Sequence, residues 1–168
     1  MKLDKLLQNI EYKVIKGNLD KEITGLYYDS RKITKSSAFV CLTGSLVDGH
    51  DYIKTATEKG ATVIFVEKDV QVEEDVTVIK LESTRKSLSQ LAINYFDNPA
   101  SKLTMIGITG TKGKTTTSWM IKNIIEEAGY KTGVIGTMGI FIGDTHYETV
   151  NTTPESYDIQ KYLREMVD

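Results

Sequence analysis

The sequence predicts an α/β protein in two parts: a small α/β domain over residues 1–98, then the first part of a parallel-sheet, phosphate-loop domain over residues 99–168, left incomplete. Three observations predict this. Apolar runs of strand character alternate with stretches of helical spacing. The segment 97–102 is polar, holds one of only two prolines, and separates two different patterns. Beyond it the order is strand, glycine-rich turn, helix, strand, which reads as a βαβ unit.

Leu3, Leu6, Leu7 and Ile10 have the spacing of a short amphipathic helix. Residues 12–15, 23–28 and 38–42 read as strands. Tyr52, Ile53 and Ala56 mark one face of a helix that Gly60 can end. Residues 61–66 are rich in β-branched side chains and read as a buried strand, and 76–81 as another, with a polar loop at 70–75 between them. Leu88, Leu91, Ala92 and Tyr95 follow the i, i+3, i+4, i+7 rule, in a helix capped by Ser83 or Thr84. It stops at Asn98-Pro99, because proline disfavours the α conformation in the residue before it. Residues 103–108 are the next expected strand. Ile121, Ile124, Ile125 and Ala128 give the following helix a buried face, Gly129 ends it, and 131–135 begins another strand. Phe141 and the residues around Tyr147 suit a hairpin. Thr153 as N-cap, Pro154 at N1 and Glu155 in the first turn open a last helix, with Ile159, Tyr162, Leu163 and Met166 as its apolar face.

Two or three strands after the boundary fall short of a doubly wound domain, so a truncated protein is expected. An uncovered parallel edge is an association hazard, which leaves self-association through the incomplete sheet open.

The 168 residues are 40% hydrophobic and 26% charged, with a net charge of −2. This is soluble globular composition, and bulk charge favours neither nucleic acid nor membrane. The nine tyrosines form no stacking pattern for nucleic acid. Residues 1–5 lead into no long apolar run, so no signal peptide is expected, and nothing approaches the roughly 20 apolar residues of a membrane span. The single cysteine, Cys41, lies in the apolar run 38–42 and reads as a buried structural thiol, which fits a reducing cytoplasm. No His/Cys cluster has metal-ligand spacing. His50, in Asp48-Gly49-His50-Asp51, reads as ordering a turn before a helix rather than as a base or ligand. His146 reads as a surface residue and Trp119 as packing rather than an adenine shelf.

The strongest chemical signal is Gly107-Ile108-Thr109-Gly110-Thr111-Lys112-Gly113-Lys114-Thr115-Thr116. A polyphosphate needs several inward-pointing donors and a cation. Glycines let backbone N–H groups turn toward phosphate, and a following helix aims its N-terminal N–H groups and positive dipole end the same way. Lys114 can reach β/γ-phosphates, and the Thr115 hydroxyl can ligate Mg²⁺. The strict pattern wants glycine where Ile108 stands, with Gly110 inside the loop instead.

The stretch Gly110-Thr111-Lys112-Gly113-Lys114-Thr115-Thr116 resembles the ATP loop of the Mur ligase family, with Lys112 replacing the usual asparagine. Asp29-Ser30-Arg31, Ala38-Phe39-Val40, Asp48-Gly49-His50-Asp51-Tyr52-Ile53 and Gly60-Ala61 together resemble that family's uridine-binding domain. Asn151-Thr152-Thr153-Pro154 resembles the substrate loop of the member that adds the third amino acid, acting on UDP-N-acetylmuramoyl-L-alanyl-D-glutamate.

The resemblance implies a cytoplasmic ATP-dependent ligase of peptidoglycan precursor synthesis. ATP with Mg²⁺ would phosphorylate the D-glutamate γ-carboxylate, and meso-diaminopimelate or L-lysine would attack the acyl phosphate. It implies ATP contacts from Gly110, Thr111, Lys112, Gly113, Lys114, Thr115 and Thr116, with Lys114 catalytic and Thr115 on the metal. Tyr28, Ser30, Ser45, Leu46 and Val47 would contact uridine; Asn151, Thr152 and Thr153 would hold pyrophosphate and sugar. The amino-acid-selecting part is absent, so the chain alone is expected to be inactive. Rival readings are a UDP-sugar-binding module without catalysis, the D-alanyl-D-alanine-adding relative, and another phosphate-loop protein.

Overall fold

The apolar runs of the first hundred residues are buried because they lie side by side in one sheet. The computed structural model describes residues 1–44, 47–72, 75–148 and 153–168, and the chain divides into two units, Met1–Tyr95 and Phe96–Asp168. In the first unit β1 (Lys13–Lys16), β2 (Leu26–Tyr27), β3 (Ser37–Val40), β4 (Ala61–Val66) and β5 (Thr77–Lys80) stand in the order β1-β5-β4-β3-β2. The four later strands are parallel, and β1 joins β5 antiparallel. Phe39 pairs with Ile64 and Ile64 with Val78, so these three share one face. That face packs with Cys41, Ile53, Ala56 and Val66. The alternate residues Val63, Phe65 and Ile79 turn to the opposite face and are also buried. This two-sided burial is why β3 and β4 read as continuous apolar runs.

Helix α1 (Leu3–Leu6) and helix α3 (Thr84–Tyr95) are joined through Asn94, whose Nδ2 donates to the Leu6 and Gln8 carbonyls at 2.8 Å each. Between β3 and β4 lies α2 (Ile53–Glu58), closed by Gly60 N–H on the Thr57 carbonyl at 2.9 Å. These helices stand where their spacing predicts.

The second unit begins with a 3-10 turn, Pro99–Lys102, followed by α4 (Lys114–Glu127), β6 (Gly133–Gly136), β7 (Gly139–Ile142), β8 (Thr145–Tyr147) and α5 (Ser156–Val167). Three expectations are corrected here. The strand expected at 103–108 does not form: it joins no ladder, and Met105 and Ile106 are 57% and 55% exposed. Strand β6 pairs antiparallel with β7, and β7 with β8, so the βαβ pairing is not made among the described residues. A hairpin closes over two residues, whereas a parallel crossover must bring distant segments together. Second, the α4 face expected to be buried is not; Ile124 is 70% exposed. The helix is held from another side, where Trp119 meets Phe141 edge-on at 4.8 Å and Glu126 accepts from Thr132 Oγ1 at 2.6 Å and from Lys122. Third, the last helix starts at Ser156 with Glu155 as N-cap, two residues later than Thr153 would place it, because the Glu155 backbone is itself extended, at φ −60° and ψ 154°. Its buried Leu163 and the Phe96–Tyr157 edge contact at 5.3 Å seat α5 within the unit. Among the described residues no helix is long and apolar enough to cross a membrane.

Phe65 lies fully buried in the middle of the parallel sheet. Phe65→Ala is expected to cost about 3–5 kcal/mol, read as a lower midpoint of urea unfolding of the first unit, with the near-ultraviolet signal of Trp119 in the second unit retained.

Candidate functional site

Parallel strands bring their C-terminal ends to one edge of a sheet, and in open α/β sheets ligands bind at that edge. Here the edge carries Tyr28 after β2, the loop at 41–48 after β3, Glu67 and Lys68 after β4, and Thr84 after β5. Tyr28 and Ser30 are half-buried there. Ser30 opens a 3-10 turn capped by Asp29, whose carboxylate accepts from Arg31 N at 3.0 Å and Arg31 Nε at 2.9 Å. The Arg31 guanidinium beside it holds the Asp29 carboxyl below the usual range. The Ser30 carbonyl accepts from Lys59 Nζ at 3.1 Å, so the turn is fixed from two sides. Val47 is 55% exposed on the loop after β3. Its carbonyl accepts from Gly44 N at 2.9 Å, and Thr43 pairs with Asp48. The candidates Ser45 and Leu46 lie outside the described residues.

A polar circuit holds this edge together. Asp48 Oδ1 accepts from His50 N at 2.9 Å and lies 2.6 Å from His50 Nδ1; Oδ2 accepts from Lys68 Nζ at 2.6 Å. The buried His50 ring turns Nε2 toward Glu67 N at 3.1 Å, so Nε2 is the acceptor and Nδ1 carries the proton. The Glu67 carboxylate then caps α3, accepting from Thr84 N at 2.6 Å. The Thr84 hydroxyl, 3.0 Å from that carboxylate, donates to the Cys41 carbonyl at 2.7 Å and closes the circuit on β3. Gly49 is required by proximity: a Cβ there would sit 2.7 Å from Leu42 N. His50 thus orders a turn, as its setting predicts. Glu67 and Lys68 escaped sequence reasoning because their partners are 17 and 20 residues away, with no periodic signal.

The second candidate site is the glycine loop of the other unit. Gly113 stands at φ +78°, a left-handed conformation that glycine adopts freely, and serves as N-cap of α4. Among the described residues no side chain caps that helix end, and its first ladder bond runs from Thr117 N to the Gly113 carbonyl at 2.9 Å. The first-turn N–H groups, with a helix-end charge of roughly +0.5, therefore face outward. Lys114 Nζ bends back to the Gly110 carbonyl at 2.7 Å, which puts the ammonium over the loop. Thr111, Lys112 and Thr116 are exposed and Thr115 is half-buried in the first helical turn. The uncapped helix start and the Lys114 ammonium thus lie at one loop, with Thr115 in the helical turn that follows. Among the described residues no group of three or more His, Cys, Asp or Glu could hold a metal. A divalent ion would take the phosphate oxygens and the Thr115 hydroxyl. Asn151 and Thr152 lie outside the described residues, and Thr153 is exposed before α5.

The family model described as Mur ligase middle domain matches residues 108–168, and that described as Mur ligase family, catalytic domain, matches 22–96. The UDP-N-acetylmuramoyl-L-alanyl-D-glutamate--2,6-diaminopimelate ligase of Clostridium perfringens is 49% identical over all of this chain, which covers 35% of that protein. The like-named proteins of Bacillus licheniformis and Clostridioides difficile are 46% and 41% identical, again across the whole chain and 34% of theirs. The chain thus spans about a third of the length of these relatives. Among solved structures, a UDP-N-acetylmuramoyl-L-alanyl-D-glutamate--2,6-diaminopimelate ligase matches 99% of this chain and 33% of its own at TM-score 0.73 and 22% identity. MurF from Acinetobacter baumannii matches 98% and 32% at 0.65 and 24%. At these identities the likeness is one of fold.

The circuit titrates. Lys68 first, then the His50 N–H groups, hold Asp48 below the ordinary 3.8. Burial pushes Glu67 up, but donors from Thr84, Ser83 and Arg85 outweigh it and leave the carboxyl below 4.5. Both folded pKa values are depressed, so their stabilisation is complete above 4.5 and is lost as pH falls through the folded values. The resistance of the first unit to urea is expected to fall below pH 4.5, and Glu67→Gln to flatten that dependence while lowering stability at pH 7.

Proposed function

We propose, proceeding from the fact that this chain belongs to the Mur ligase family, that it supplies the uridine-nucleotide and ATP-phosphate sites of a cytoplasmic ligase of peptidoglycan precursor synthesis. Residues 1–98 are the UDP-sugar-binding domain, and residues 99–168 open the ATP-binding domain. The complete protein extends UDP-N-acetylmuramoyl-L-alanyl-D-glutamate by one amino acid, meso-diaminopimelate in keeping with the names of its relatives, or L-lysine. The substrate γ-carboxylate attacks the γ-phosphorus of ATP, ADP leaves, and an acyl phosphate results. The incoming amine attacks the acyl carbon, gives up a proton, and inorganic phosphate departs with the electron pair, leaving an amide. Negative charge gathers on the transferring phosphoryl oxygens, so positioning and charge neutralisation dominate the catalysis.

Lys114 is the catalytic cation, and the backbone of Gly110, Thr111, Lys112 and Gly113, with Thr115 and Thr116, receives the phosphates. Mg²⁺, held by Thr115 and the nucleotide, would add charge neutralisation. Tyr28, Ser30 and Val47, with Ser45 and Leu46, take the uridine; Asn151, Thr152 and Thr153 take the pyrophosphate and sugar. The observation that carries the ATP assignment is the Lys114 ammonium 2.7 Å from the Gly110 carbonyl, beside a helix end that no side chain caps among the described residues. The chain spans about a third of the relatives' length, and what is proposed for these residues is ligand binding.

Calorimetry tests this. Titration of the 168-residue chain with UDP and with a non-hydrolysable Mg-ATP analogue is expected to give binding for each. Lys114→Ala should weaken the ATP analogue by about tenfold or more and leave UDP unchanged. Analogue binding that is indifferent to Lys114→Ala would overturn the loop assignment, and no UDP binding would overturn the uridine assignment.

A further inference from the structure

We infer that His50 is a positioning residue for the uridine side of the site, setting the stem from which Val47 projects. The inference rests on the uridine reading and goes beyond it by naming what holds the contact surface in place. The stem is short and turns steeply: Gly44 N bonds the Val47 carbonyl at 2.9 Å, Thr43 pairs with Asp48, and Gly49 N bonds the Leu42 carbonyl at 2.8 Å. Three hydrogen-bonded links do not by themselves fix where a loop stands relative to a sheet. The buried link to the sheet is the imidazole, beside the exposed Lys68–Asp48 ion pair and Arg85 Nη2 on the Thr43 carbonyl at 3.4 Å. On one side it meets the Asp48 carboxylate at the end of the stem, 2.6 Å from Nδ1; on the other its Nε2 takes the N–H of Glu67, the first residue beyond β4, at 3.1 Å.

The ring is buried, with side-chain exposure of 3%, so water does not substitute for either bond. Its rigid plane spans two strand ends with a donor on one edge and an acceptor on the other. A side chain that only donates or only accepts cannot make both bonds. Lys68 steadies Asp48 from solvent, and the Glu67 carboxylate carries the strut on into the cap of α3. Movement of the stem would therefore have to break bonds on three connections. His50 itself does not touch the ligand in this scheme; it acts through Asp48 and Val47, and it is neither a base nor a metal ligand.

The test uses the 168-residue chain, His50→Phe and Asp48→Ala. Calorimetry with UDP and with the Mg-ATP analogue is combined with amide exchange and imidazole ¹⁵N spectra, which hold signals from only two histidines. The unaltered chain should bind UDP and show His50 as the Nδ1–H tautomer. Each variant should lose about tenfold in UDP affinity. Each should exchange faster at the Gly44 and Gly49 amides, keep the protection of Ile64 in β4, and bind the ATP analogue unchanged. Asp48→Ala keeps the imidazole and decides the matter if His50→Phe does not fold. UDP affinity equal to that of the unaltered chain in the variants, an Nε2–H tautomer, or faster exchange spread evenly over β3, β4 and β5 would overturn the inference alone. An unaltered chain that does not bind UDP would overturn the uridine reading and this inference with it.

Discussion

Backbone groups at the C-terminal edge of a parallel sheet have no further ladder to join, and those that are buried must find partners elsewhere. In the first unit the answer is a run of side chains, Asp48, His50, Glu67 and Thr84, that bonds the ends of β3 and β4 and the start of α3 to one another. The rest of that unit depends on this arrangement. It orients the turn at 41–50, gives α3 its cap from a different strand, and leaves the edge beside Tyr28, Ser30 and Val47 facing outward. Buried polar networks stabilise only when every member is satisfied, and here each group named has a partner.

The two units meet the same need with different means. The glycine loop before α4 leaves its helix end without a side-chain cap, and Lys114 folds over the loop instead. One site is thus braced by side chains, while the other presents bare backbone donors. The uridine edge proposed for the first would need a fixed shape, and the phosphate tail proposed for the second would need donors that are not already engaged.

Much of this was legible in the sequence where the signal is local. Helical spacing at Leu88, Leu91 and Ala92, β-branched runs at 61–66 and 76–81, and glycines beside Lys114 each report on a few neighbouring residues. The role of His50 was also readable, because Asp48 lies two residues away. Pairings between distant residues were not readable. Glu67 meets Thr84 across 17 positions with nothing periodic between them. The expected strand at 103–108 fails for the opposite reason: its apolar character is real, but Met105 and Ile106 stand exposed with no ladder partner, while β6 closes on its nearest neighbour, β7. Periodicity shows that a segment could be buried; what buries it is a matter of the neighbours present. Thr153 has the right chemistry for a cap, yet the helix starts only after Glu155, whose backbone is extended.

Cys41 gives the first unit a built-in reporter. Its sulfur is wholly enclosed beside the Thr84 bond, and enclosure together with the nearby Asp48 carboxylate suppresses ionisation of the thiol. Only the thiolate reacts with alkylating or disulfide reagents. The rate at which such a reagent consumes this solitary sulfhydryl therefore measures how often the β3 end of the sheet springs open, and any molecule seated on that edge would slow the clock.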